Sequence, residues 1–136
     1  MSIDFNFVGV SAALAAFLGI WLGHISVRVI EYNAKELRAP ISIALALGLA
    51  FEIGSLLTLR KPLSAALGIL GMTILWDALE FVRQEKRVKK GHAPANSVNP
   101  RHAKILLEYP SATTLDLLKR DPVGHPIAPI EQKENA

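Results

Sequence analysis

The chain has 136 residues, with 15 Lys and Arg against 12 Asp and Glu, a formal net charge of +3 and no cysteine. That length allows one domain, or a small domain with a tail. The missing thiol excludes disulfides, thiolate-held iron–sulfur clusters, Cys-type zinc sites and cysteine nucleophiles. Charge is unevenly spread: residues 83–136 hold ten of the Lys and Arg and six of the eight Pro, whereas residues 5–82 are overwhelmingly apolar.

The first apolar stretch runs from about Phe7 to Ile25, FVGVSAALAAFLGIWLGHI. At ~1.5 Å per residue its length suits a hydrocarbon layer about 30 Å thick. No basic flank precedes it, so it does not carry the marks of a cleavable signal peptide. Small residues recur every fourth position at Ser11, Ala15, Gly19 and Gly23, which predicts a helix face made for close packing in lipid. His24 ends this span. His24, Arg28 and Glu31 or Tyr32 then follow at about one-turn spacing, so the helix is expected to continue beyond the bilayer, as far as Lys35.

Pro40 suits the first turn of the next helix, where a missing N–H costs nothing. The second span is about Ile41 to Leu59, with small residues at Ser42, Ala46, Ala50, Gly54 and Thr58. Glu52 lies about 160° around the helix from Ala50 and Gly54 at ~100° per residue. If the small stripe faces the other spans, Glu52 faces away from them, toward a second copy or another membrane protein. The competing expectation is a protonated Glu52 hydrogen-bonded within its own helix.

The third span is about Pro62 to Val82, with Ser64 and Gly68 as a shorter small stripe and Gly71 close by. Asp77 and Glu80 are three apart and share a face. The structural expectation is that His24 or Arg28 neutralises Asp77 or Glu80, while Glu80 also pairs with Arg83 or Gln84. Together, His24, Arg28, Glu31, Asp77 and Glu80 form an expected polar cluster at the membrane boundary. A functional alternative is a proton or quinone site built from the same imidazole and carboxylates. A haem ligated by His24 is weaker, because His92, His102 and His125 all lie in the tail. No pair of histidines has metal-ligand spacing, and no nucleophile motif or phosphate-binding loop is present. No cofactor or metal is expected.

Directly after the third span come Arg83, Lys86, Arg87, Lys89 and Lys90. With Arg28, Lys35 and Arg38 of the first connection they outnumber Arg60 and Lys61 of the second. By the positive-inside rule the amino terminus is outside and the tail cytoplasmic. Trp21, Tyr32, Trp76 and Phe81 fall near that boundary, as an aromatic belt requires. The five basic residues serve as topology determinants and as contacts for anionic headgroups, at about 1 kcal/mol each near the surface. Headgroups explain them more simply than nucleic acid.

From Gly91 the chain reads as a Pro-rich soluble tail with two short helices, in RHAKILLEY before Pro110 and SATTLDLLKRD after it. The last stretch, VGHPIAPIEQKENA, reads as extended. The tail carries more apolar residues than a solvating segment needs, so docking on a cytoplasmic protein surface is expected over disorder.

Trp76 and Glu80, the run QEKRVKKG at Gln84 to Gly91, then Pro94 and the Asn99-Pro100-Arg101 triplet resemble a family of small bacterial membrane proteins known as a domain of unknown function. His24 and the Glu31-Tyr32 pair match that pattern as well. The resemblance covers about residues 5–101. His92 stands where an aromatic is usual, extra residues separate Pro94 from Asn99, and the chain beyond Arg101 is an addition. The resemblance implies three transmembrane helices, no known activity, and a connected cluster of His24, Glu31, Glu80 and Gln84 to Arg87.

The expected fold is all-α: a three-helix transmembrane domain over 1–90 and a cytoplasmic tail over 91–136. A soluble protein with three buried core helices is the alternative, and this chain offers too little polar surface to wrap them. The expected role is a non-enzymatic anchor or accessory subunit of a complex in the cytoplasmic membrane, such as an electron-transfer assembly. Its expected partners are lipids and other membrane or cytoplasmic subunits. Two further expectations are a small proton-coupled or quinone-binding carrier using His24, Asp77, Glu80 and Glu52, and a self-associating scaffold.

Overall fold

Asn6 opens the first helix, its Oδ1 accepting the Val8 amide at 3.0 Å. With no proline to interrupt it, α1 runs from Val8 to Asn33, well past the apolar stretch. The computed structural model describes residues 5–116, and the regular elements among them are all helices. α2 spans Arg38–Leu57 with Pro40 in its first turn. After a short connection, α3 spans Lys61–Lys89, with Pro62 in its first turn and two turns of charged sequence beyond Val82. α4 is short, Pro100–Glu108.

α1, α2 and α3 are each long and apolar enough to cross a membrane. Most of their large apolar side chains point outward, among them Phe17, Trp21, Leu49, Leu56 and Met72. Water would penalise such a surface at about 25 cal/mol per Å², whereas lipid does not. The exposed apolar shell and the short, small-residue interior are therefore two sides of one solvent choice.

α3 is the shared partner, with α1 packed on one side and α2 on the other. The α1 stripe faces it: Ala15 and Gly23 are buried, and a Cβ on Gly19 would stand 2.6 Å from Thr73 Oγ1. On α2 the structure corrects the expectation. Ala46 and Ala50 are exposed, and the buried residues are Ala44 and Gly48. Gly48 and Gly71 bring the two backbones together, since a Cβ on either would lie 3.0 Å from the other's carbonyl oxygen. Farther along, Ser55 Oγ donates to the Ser64 carbonyl at 2.8 Å and Ser64 Oγ donates back to the Ser55 carbonyl at 2.9 Å.

Glu52 accordingly faces α3, not an outside partner. Its Oε1 would stand 2.8 Å from a Cβ on Gly71. The physical reason is that Glu52 and Ser55 belong to the same face as Gly48. Turning that face inward takes two polar groups out of lipid, whereas turning in Ala46 and Ala50 would leave them there. Of the remaining stripe residues, Ser11 is half-buried, Gly54 lies near Leu67, and Gly68 lies against Ser55. A rule runs through both seams: Thr73, Asp77, Ser55 and Glu52 each rest on a glycine of the facing helix, namely Gly19, Gly23, Gly68 and Gly71.

Beyond α3 the chain turns back. Gly91, at φ 72°, occupies the left-handed position that L side chains rarely adopt. The His92 amide bonds the Arg87 carbonyl and the Gly91 amide bonds the Val88 carbonyl, the paired bonds of a Schellman ending. Ala93, Ala95 and Ile105 then close over Val88 as a small second core. Of the two expected tail helices, the first forms as α4. Residues 111–116 are not helical, and the rest of the second, like the final stretch, lies outside the described residues.

A buried polar cap as the candidate functional site

α1 ends without a basic residue in its last turn, so its final carbonyls need donors from elsewhere. The cap formed by residues 91–116 supplies them. Asn99 Nδ2 donates to the carbonyls of Tyr32 and Ala34, both at 3.0 Å, and Asn96 Nδ2 reaches Tyr32 at 3.3 Å. Asn99 also caps α4, its Oδ1 accepting the Arg101 amide at 3.0 Å. Pro100 follows in the first turn, where no N–H is missed. One asparagine thus joins the end of α1 to the start of α4.

The charges follow the same design. Glu31, continuing the α1 stripe one turn beyond Val27, is 1% exposed. Its Oε1 accepts Arg101 Nη2 at 2.9 Å and stands 3.0 Å from His102 Nε2. His102 is fully buried, and its Nδ1 accepts the Asn96 amide at 2.9 Å. The ring proton therefore belongs on Nε2, facing Glu31. Tyr32 sets its ring edge-on to the same imidazole.

A second buried carboxylate sits on α3. Glu80, 4% exposed, pairs with Arg87 and with Arg83 at 3.5 Å. Gln84 steadies Arg87 through a 2.8 Å hydrogen bond, and Arg83 lies 4.6 Å over the Trp76 ring. Glu85 pairs with Lys89 at 2.8 Å and lies 4.0 Å from Arg101. Glu31 and Arg101 form the more deeply buried pair, and removing one partner of such a pair costs about 3–5 kcal/mol. Arg83 and Arg87 are about half-exposed, so their pairs with Glu80 contribute less.

The expected polar cluster is thereby rearranged. Glu31 and Glu80 belong to it, but their partners are Arg101 and the His102 ring for Glu31 and Arg83 and Arg87 for Glu80, not His24 or Arg28. Gly23, Val27 and Glu31 form the inward face of α1. Arg28 makes no ion pair with Asp77 or Glu80, whereas His24 lies close enough to Asp77 to interact with it electrostatically, as expected. His24 borders a cavity of about 390 Å³ with Trp76 and Asp77. The carboxylate of Asp77 rests over Gly23. Arg28 borders a different cavity, of about 540 Å³, with Tyr32 and Gln84. Of the five basic residues expected at headgroups, Arg83, Arg87 and Lys89 are engaged by Glu80 and Glu85, which leaves Lys86 and Lys90. Among the described residues no three of His, Asp and Glu converge as metal ligands.

Sequence reasoning missed Arg101, His102 and Asn99 as partners of α1. The Asn-Pro step signalled a helix start, yet nothing in the spacing tied Arg101 to a glutamate 70 positions earlier.

Three apolar helices closed at one end by a buried polar cap define a helical membrane protein. The chain belongs to the family described as a domain of unknown function (DUF4491), whose model matches residues 6–99. That match takes in all three spans and stops at the capping Asn99. No curated protein matches the chain, and no solved structure does.

Proposed function

We propose that the chain is a non-enzymatic anchor or accessory subunit of a protein complex in the bacterial cytoplasmic membrane. Its amino terminus is outside, and the cap presents a docking surface in the cytoplasm. The observation that carries this reading is on the cap's outer side, where Val98 and Leu107 are each 88% exposed. We take these two outward apolar groups as belonging to one contact surface, the arrangement that marks a protein-binding site. The cap's charges support the same reading, because Glu31 and Glu80 are used to fix its position. Lys35, Arg38, Lys86 and Lys90, all exposed at the cap end, favour the cytoplasmic side and anionic lipid. An electron-transfer complex is the narrower form of the proposal. The wider family motif, from Trp76 to Arg101, would then encode the cap.

The test is a mild-detergent pull-down from the native membrane, read by mass spectrometry and absorption spectrum. A partner retained by the unaltered chain and lost from Val98→Glu/Leu107→Glu supports the reading, and a coloured partner supports its redox form. Recovery of identical chains alone would favour a self-associating scaffold. A second reading, a small proton-coupled or quinone-binding carrier, retains one observation: His24 and Asp77 border the same cavity. Activity surviving replacement of Asp77 and Glu52 by amides would eliminate it.

A further inference from the structure

The outer side of α1 carries two recesses that meet. One, of about 320 Å³, is lined by Phe17, Ile20, Trp21, His24, Ile25 and Arg28 and is almost wholly apolar. The other is a mixed polar and apolar cavity of about 540 Å³ at the cap, bordered by Arg28, Glu31, Tyr32, Gln84, Thr114 and Asp116 among others. Ile25 and Arg28 belong to both. The two recesses thus adjoin along Ile25 and Arg28, with one guanidinium bordering both.

We propose that this double recess binds an anionic glycerophospholipid, with an acyl chain along Phe17 to Ile25 and the phosphate on Arg28. Depth agrees with this. Arg28 is three residues beyond the end of the apolar stretch, about 4.5 Å at 1.5 Å per residue, which is the level of the headgroup layer. The state of Arg28 agrees as well. Arg83, Arg87 and Arg101 at this end are all held by carboxylates, whereas Arg28 makes no hydrogen bond or ion pair among the described residues. Guanidinium is suited to two-pronged contact with a phosphodiester. Thr114 on the cavity wall offers an oxygen to a hydroxyl of a glycerol headgroup. The exposed Lys35, Arg38, Lys86 and Lys90 attract anionic lipid without ordering it, and Arg28 supplies the fixed site.

This site rests on the chain being embedded in lipid, and not on its having a protein partner, so the two proposals fail separately. The purified full-length chain in mild detergent is to be titrated with phosphatidylglycerol, phosphatidylcholine or diacylglycerol and read by native mass spectrometry. One phosphatidylglycerol per chain is expected, with diacylglycerol not retained. Arg28→Gln should weaken retention about tenfold, the equivalent of ~1.4 kcal/mol, and Lys35→Gln should leave it unchanged. Ile20→Trp, at an exposed position that fills the apolar recess, should also lower retention, and it decides the matter if Arg28→Gln loses helicity. Equal losses for Arg28→Gln and Lys35→Gln, or equal retention of all three lipids, would overturn the site and leave only diffuse attraction.

Discussion

The α2–α3 seam and the cap are held together by opposite means. In the seam, backbone meets backbone at Gly48 and Gly71, and polar side chains lie on glycines. In the cap, Glu31 is held by Arg101 and His102 from distant sequence, and Glu80 by Arg83 and Arg87 of its own helix, both carboxylates having almost no exposure. Lipid offers no hydrophobic reward for bringing two helices together, so close approach over small residues must supply the contact. At the polar end, buried pairs fix direction and register because leaving one member alone is so costly. The same chain therefore uses shape in one solvent and charge at the boundary of the other.

The largest effect should come from breaking the charged half of that contrast. Glu31→Ala leaves Arg101 and His102 without their carboxylate, and is expected to destabilise the cap by about 3–5 kcal/mol. Limited proteolysis near residue 95 should accelerate sharply while the three spans stay protected. Next comes the shape half. Gly71→Leu would meet Glu52 and the backbone of α2, and overpacking of this kind costs about 1–3 kcal/mol. Its signature in a detergent thermal melt is a loss that leaves cap proteolysis unchanged. A comparable effect is expected for Asn99→Ala, about 1 kcal/mol for the lost N-cap and ~1 kcal/mol for each hydrogen bond lost to the Tyr32 and Ala34 carbonyls, seen as faster hydrogen exchange in α4. Ala46→Leu should do least, within ~0.5 kcal/mol, because Ala46 faces outward. If Ala46→Leu matched Gly71→Leu in the melt, the corrected face of α2 would be wrong.

The spans were legible because an apolar run of that length has few other uses. The α1 stripe, too, faces α3 as Ala15, Gly19 and Gly23 suggest. α2 was misread because it carries two small ladders, and Ala46 with Ala50 looked the longer. What separates them is the company of Glu52 and Ser55, whose polarity turns the shorter ladder inward. In the cap, the glycine at 91 and the Asn99-Pro100 step mark local endings that sequence exposes. The pairing of Glu31 with Arg101 and His102 could not be read, since it depends on how α3 turns the chain back. Resemblance to a family grouped Glu31 with His24, Glu80 and Gln84 to Arg87, and not with Arg101 or His102.

The central claim is that the cap is locked onto the ends of α1 and α3. The chain has no cysteine, so spin labels can be placed uniquely at Lys35→Cys and Lys104→Cys, both exposed positions. Pulsed EPR in lipid nanodiscs should give one narrow distance distribution that broadens when Glu31→Gln is added. A broad distribution with Glu31 in place would contradict the account.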